Sequence, residues 1–204
     1  MTSRNEFNIA MQFLTRLPIG GEVEHSDESF ARSARFYPAV GLVVGAIAAA
    51  VYFAADVFLP NNVSAFLALL AGVAVTGGLH EDGLADAADG LIGGRDRDHS
   101  LDIMRDSQIG VFGVLALIFA LALNWSVLMA WSDWEVLIGL IAAHAISRHM
   151  MTEVIGRYDY ARSDNAKFST PDLGTEDQTF ARLWTLAVII ASVFFVGLWA
   201  TVIG

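Results

Sequence analysis

Long apolar stretches alternate with polar segments along the chain. Four of them contain almost no ionisable side chain, at about residues 37–59, 63–80, 109–131 and 183–204. A fifth, at about 134–152, is interrupted by only a few polar residues. Because a helix of about 20 apolar residues crosses the hydrocarbon core of a bilayer, each stretch predicts a transmembrane helix. The pattern indicates an all-α, polytopic integral membrane bundle with about five spans.

The basic residues give an independent test of this topology. All twelve arginines and lysines lie before the first span, between the second and third, or from the end of the fourth span to the start of the fifth. The two remaining loops, at 60–62 and 132–133, contain none. Because basic residues collect in cytoplasmic loops, we expect a multi-pass protein of the inner (cytoplasmic) membrane with a cytoplasmic N-terminus.

The N-terminal stretch at 7–17 is apolar on one face and too short to cross a bilayer. It predicts an interfacial helix on the cytoplasmic side. No small-residue cleavage site precedes Pro18, and the segment that follows is acidic, which argues against a signal peptide.

Composition excludes several classes of protein. Of 204 residues, 55% are hydrophobic and 17% are charged, which argues against disorder and against a water-soluble fold. The chain has no cysteine, so it has no disulfide, no thiolate metal site and no cysteine nucleophile. A net charge of −10 argues against a nucleic-acid partner, since such binding needs a basic surface.

An acidic segment follows the second predicted span. Eight of the 22 acidic residues lie between Glu81 and Asp106. On a helix, Asp82, Asp86 and Asp89 fall at i, i+4 and i+7 and therefore share one face. Like charges at these spacings repel, which predicts a compensating cation. The alternative is a solvated acidic helix at the membrane border, although carboxylates beside a span are costly and usually functional.

The ligand types indicate which cation to expect. A cluster of carboxylates, with at most His80 nearby, suits a hard ion such as Mg²⁺ or Mn²⁺. Magnesium usually binds few protein carboxylates and completes its shell with water and substrate phosphate. The sequence therefore predicts a substrate that carries phosphate.

A second set of polar residues lies just before the third span. Arg105 is adjacent to Asp106, and arginine can bind a phosphate through two parallel hydrogen bonds while acids hold a metal. Farther along, Ser147 and Arg148 precede several basic residues that include Arg162. These side chains either bind anionic groups or simply anchor the cytoplasmic ends of the spans, and the sequence leaves both interpretations open.

Several motifs together resemble those of the cobalamin synthase family, the adenosylcobinamide-GDP ribazoletransferases. The most specific is the long acidic motif at residues 77–90, and the shorter pieces support it in the same order along the chain. The shorter pieces are at 13–18, 36–41, 93–97, 103–110 and 147–148.

The resemblance implies a magnesium-dependent membrane phosphotransferase. Its substrates would be adenosylcobinamide-GDP and α-ribazole or α-ribazole 5′-phosphate, with GMP released and adenosylcobalamin or its 5′-phosphate formed. The resemblance implies metal ligands at Glu81, Asp82, Asp86 and Asp89, and catalytic roles for Asp82, Asp86, Asp89, Arg105 and Asp106. The substrate-binding residues that we expect are His80, Arg16, Arg148 and Arg162.

The resemblance also sets expectations for the whole chain. Residues 1–204 would form a single membrane-embedded transferase domain without the C-terminal part usual in the family, and around Arg162 the usual glycines are replaced. We therefore expect self-association as a homo-oligomer in the bilayer. The open alternatives are a CDP-alcohol-type phospholipid phosphotransferase, a cation transporter, whose acids would line the spans at several depths, and a non-catalytic scaffold.

Overall fold

The described part of the chain is helical. A computed structural model describes residues 3–18, 23, 26–158, 161 and 173–203, with side chains up to residue 194. Its helices are α1 (Ser3–Leu14), α2 (Asp27–Ser33), α3 (Tyr37–Asp56), α4 (Asn61–Thr76), α5 (Leu79–Gly93), α6 (Arg97–Ile103), α7 (Val111–Ala130), α8 (Asp133–Arg157) and α9 (Thr175–Ile203). No strand occurs within these residues. The predicted all-α class is confirmed.

Two described segments are long and apolar enough to cross a membrane. One is Asp27–Asp56, in which a 3₁₀ turn joins α2 to α3, and the other is α7. A third is obtained if the bent pair of α4 and α5 counts as one span. Helix α8 extends beyond the predicted span at about 134–152 at both ends, and α9 begins at Thr175, eight residues before the predicted span at about 183–204. The structure thus shows a helical bundle in which two or three described segments are compatible with membrane spans.

Helix α3 is at the centre of the bundle and packs most closely along α8. Gly41 and Gly45 make this contact, because a side chain at Gly41 would meet the backbone of Ala145 at 2.6 Å and one at Gly45 would meet that of Ile141 at 2.7 Å. Small residues four positions apart allow helix backbones to approach closely in membranes. The α3–α8 pair therefore forms the frame on which the other helices pack.

The N-terminal stretch forms helix α1, as predicted. Its apolar face packs on the bundle, since Ile9, Met11 and Leu14 are buried. The carboxylate of Glu6, 1% exposed, forms ion pairs with Arg32 and Arg35. Protein side chains therefore cover much of the face that we expected to lie at the membrane surface.

A sharp bend separates α4 from α5 and positions the acidic segment. Gly77 and Gly78 have φ angles of 66° and 73°, a left-handed conformation that favours glycine. Helix α4 ends at Thr76, four residues before the end of the predicted span, and α5 leaves it at 88°. Helix α5 then packs against α6 and α7. The acidic motif therefore crosses the direction of α4 instead of continuing it.

Candidate active site

The predicted acidic face lies on α5, but its three aspartates have different environments. Asp82 is exposed in the first turn, Asp86 is half-buried one turn later, and Asp89 is 8% exposed. Helical spacing therefore places the carboxylates on one side, as predicted. The neighbouring helices cover them to different extents. Asp82 and Asp86 are the members that a ligand can reach.

Asp89 binds the beginning of α7. One carboxylate oxygen accepts a hydrogen bond from the backbone N–H of Gly110 at 2.7 Å, and the other accepts one from the N–H of Gly113 at 2.9 Å. Gly110 is the N-cap residue of α7 and has no side chain with which to cap the helix. The carboxylate of Asp89 takes that role from another helix, where a negative charge is also favoured by the helix dipole.

The four predicted metal ligands differ in how well they suit magnesium. The described residues contain no group of three His, Asp or Glu side chains arranged to hold an ion. Magnesium usually requires only one or two protein carboxylates, with water and phosphate as its other ligands. Asp82 and Asp86, one turn apart and accessible, fit that requirement. The metal-binding roles of Glu81 and Asp89 stay predictions.

The predicted phosphate-binding pair lies in the turn between α6 and α7. Arg105 and Asp106 are both exposed, and Asp106 accepts a hydrogen bond from the backbone N–H of Gln108 at 3.1 Å. This turn leads into the N-terminus of α7, which Asp89 caps. The cap therefore connects α5 to the turn that carries Arg105. The guanidinium is solvent-accessible and available to an anionic substrate.

Arg16 lies at the bend between α4 and α5. Its backbone N–H donates to the carbonyl of Val75 at 2.7 Å, and its side chain packs where a side chain at Gly77 would be. The predicted substrate-binding residue Arg16 is thus next to the start of the acidic helix. Arg162, predicted for the same role, lies outside the described residues.

A cavity of about 270 Å³ lies beside the first turn of α5. It brings together four residues that the sequence singled out: His80, Glu81, Ser147 and Arg148. Residues from four helices line it: Leu69, Gly72, Val73 and Thr76 of α4; His80 and Glu81 of α5; Leu121 and Asn124 of α7; and Leu140, Ala143, His144, Ser147 and Arg148 of α8.

Several polar atoms at this cavity are buried without a partner. Nε2 of His80, Oε2 of Glu81, Nδ1 of His144 and Nε of Arg148 have no hydrogen-bond partner among the described residues. Arg148 is 6% exposed and donates one hydrogen bond, from Nη1 to the hydroxyl of Ser147 at 2.8 Å. Buried polar groups are normally satisfied, so these atoms indicate a binding site.

The sequence interpretation missed His144 as a member of this site. His144 is not among the residues selected above, yet it lies one turn before Arg148 on α8 and lines the same cavity. The i, i+4 spacing of two polar residues within an otherwise apolar span is the signal that identifies such a face. Asn124 gave no comparable signal, because it is a single polar residue in a long apolar stretch.

The comparison with known families agrees with these motifs. A family model described as cobalamin-5-phosphate synthase matches residues 6–204 of the chain. The chain belongs to this family. The match covers the acidic helix, the bend before it and the polar residues of α8 in this chain.

Curated relatives extend this result. An adenosylcobinamide-GDP ribazoletransferase of Shewanella frigidimarina is 38% identical over 198 residues, which are 96% of this chain and 74% of the relative. A relative of the same name in Shewanella denitrificans is 37% identical, over 96% of this chain and 79% of the relative. Another, in Shewanella woodyi, is 44% identical, over 81% of this chain and 65% of the relative. No solved structure matches the chain.

Proposed function

We propose that this chain transfers the phosphocobinamide group of adenosylcobinamide-GDP to α-ribazole or its 5′-phosphate. The products are GMP and adenosylcobalamin or its 5′-phosphate. The observation that carries this proposal is the family match over residues 6–204, together with relatives that are named for this transfer. The reaction belongs to the last steps of cobalamin biosynthesis.

The acidic helix α5 would form part of the site that binds the phosphates of the donor. Asp82 and Asp86 would hold Mg²⁺, which when bound would neutralise the diphosphate oxygens of the donor. Arg105 would bind the phosphate that leaves with GMP, since a guanidinium matches two phosphate oxygens. Asp106, beside it, orients the turn through its hydrogen bond to Gln108.

The transfer exchanges one phosphorus–oxygen bond for another. A ribazole hydroxyl loses its proton to a carboxylate of the cluster, and its oxygen bonds to the phosphorus attached to the corrinoid side chain. The bridging phosphorus–oxygen bond of the diphosphate breaks, and its electron pair leaves with GMP. The chain's task is to position the two substrates and to stabilise the charge on the leaving group.

The alternative functions have less support. A phospholipid phosphotransferase would use the same metal chemistry, but the relatives are named as ribazoletransferases. A cation transporter would place acidic residues at several depths of its spans, whereas the acids of α5 lie beyond the apolar helix α4. The family match favours neither alternative.

The proposed membrane topology has five spans in the inner membrane, with α5 near the cytoplasmic face. Self-association within the bilayer is part of the same proposal. Because the chain has no cysteine, single cysteines report the topology directly. Cysteines replacing Glu28, whose side chain is 78% exposed, and Ser100 should be labelled only from the cytoplasmic side, and one replacing Asn61 only from the opposite side. Labelling of position 100 from outside would overturn this topology.

A transfer assay tests the function. Purified protein is incubated with Mg²⁺, adenosylcobinamide-GDP and α-ribazole, and a parallel reaction contains a CDP-lipid donor with an alcohol. We expect cobalamin and GMP in the first reaction and no lipid product in the second. Asp98→Ala is a matched control for variants of α5, since the Asp98 side chain is 92% exposed on α6. Lipid product in place of cobalamin would refute the proposal.

A further inference from the structure

The cavity beside α5 combines two kinds of surface. Leu69 and Val73 of α4, Leu121 of α7 and Leu140 of α8 contribute aliphatic side chains. The polar side chains come mainly from the first turn of α5 and the facing part of α8. Such a lining suits a ligand with an apolar body and a few polar groups at fixed positions.

The polar groups restrict the chemistry of the ligand. Arg148 offers N–H donors, whereas Glu81 offers carboxylate acceptors, and the two are close enough to interact electrostatically. A bare cation would be repelled by the guanidinium, and a free phosphate would be repelled by the carboxylate. A neutral ligand that has both hydroxyl donors and oxygen acceptors satisfies both residues, as a sugar does.

The size and the aliphatic wall restrict the ligand further. A volume of about 270 Å³ is slightly below the usual range of about 300 to 1,000 Å³ for small-molecule sites and is too small for a corrin macrocycle. A guanine base has polar atoms on every edge, and the leucine and valine side chains would leave them without hydrogen bonds. A dimethylbenzimidazole ring presents carbon and methyl groups to such a wall at no comparable cost.

We propose that this cavity binds the acceptor nucleoside, ribazole. The benzimidazole ring lies against the aliphatic wall, and the ribose hydroxyls contact His80, Glu81 and Arg148. This inference rests on the proposed function and adds to it the location of the second substrate. Glu81 and Asp82 are neighbours in the first turn of α5, the former at the cavity and the latter exposed. The acceptor hydroxyl is thereby brought to the edge of the acidic face.

A kinetic experiment separates acceptor binding from donor binding. Ala143 lines the cavity, so Ala143→Phe fills part of it, whereas Met150, 54% exposed on the same helix, is outside the cavity lining. We expect Ala143→Phe to raise the KM for ribazole at least tenfold and to leave the KM for adenosylcobinamide-GDP within twofold of wild type. Met150→Phe should change neither. Equal changes in both KM values, or none, would overturn the inference.

A second experiment needs no turnover. Ser147 lines the cavity, and Ser147→Cys would be the only thiol in the chain. Saturating α-ribazole should slow maleimide labelling of this thiol at least tenfold, while GDP should not, and Met150→Cys should be labelled equally with either. Protection in a protein that shows no transfer would support the site and refute the proposed function. Transfer without protection by ribazole would refute the site and leave the function in place.

Discussion

The carboxylate of Asp89 accepts a hydrogen bond from the backbone N–H of Gly113, 24 residues later in the chain, at 2.9 Å. With the second bond, to Gly110, it caps α7 from α5. Asp89→Ala removes both acceptors, so we expect the free energy of unfolding to fall by about 2 to 4 kcal/mol. The midpoint of thermal unfolding in detergent, without substrates, measures this change.

Asp82 provides the contrast within the same helix. Because its side chain is exposed, Asp82→Ala should change the free energy of unfolding by less than about 0.5 kcal/mol. Loss of transfer at normal expression is expected nonetheless, because the proposed phosphate-binding face loses the more exposed of its two accessible carboxylates. Unchanged stability in Asp89→Ala, or full transfer activity in Asp82→Ala, would contradict this division of roles.

Magnesium should stabilise the folded protein. A ligand that binds only the folded state raises the unfolding temperature, and nucleotide product should increase the effect by adding phosphate ligands. Calcium should bind the same carboxylates but support transfer poorly, because its larger and looser shell misplaces the reacting oxygens. Thermal unfolding of wild type and of the double variant Asp82→Asn, Asp86→Asn measures this. A magnesium effect that survives in the double variant would place the ion elsewhere.

The bend between α4 and α5 should depend on Gly77. A side chain there meets Nε of Arg16 at 2.6 Å, and the φ of 66° is unfavourable for alanine. We expect Gly77→Ala to lower the free energy of unfolding by at least about 1 to 2 kcal/mol. Gly83→Ala is the control, since no described atom lies within 4 Å of its new side chain, and alanine favours a helix interior. Equal effects of the two substitutions would remove the structural argument for the bend.

A buried carboxylate joins α8 to α9. The two oxygens of Glu153 accept hydrogen bonds from Arg182 at 2.6 and 3.0 Å, and one of them pairs with Arg157 at 2.7 Å. The hydrogen bonds from Arg182 are the main cause of a pKa below the ordinary 4.5. Because this pKa is depressed on folding, the ion pairs stabilise the protein above pH 4.5, and the stability is lost as the pH falls through the lowered value.

Glu153→Gln tests this interaction. The neutral amide loses the ion pairs, so we expect the variant to unfold at lower temperature than wild type at neutral pH. The difference should shrink as the pH falls below 4.5, where Glu153 itself becomes protonated in the wild type. Parallel unfolding curves at all pH values would show that another group causes the acid sensitivity.

The sequence alone predicted the helical class, which the structure confirms, and a membrane bundle, with which the long apolar helices agree. Long apolar runs can satisfy their backbone hydrogen bonds in lipid only as helices or closed barrels, and their length is that of a helical span. Helical periodicity also placed Asp82, Asp86 and Asp89 on one side of a helix, because residues at i, i+4 and i+7 share a face in any α-helix. The motif order indicated the family, which the comparison confirmed.

Only the tertiary structure decided how these residues are used. The bend at Gly77 ended α4 within an apolar run. Hydropathy does not predict such a bend, because it carries no information on the backbone conformation of a glycine pair. Asp89 became a helix cap through a partner 24 positions away. His80 of α5 and Arg148 of α8 met across a cavity that includes His144, because helices far apart in the chain line the same cavity. Local patterns determine faces and lengths, whereas long-range packing determines which faces meet.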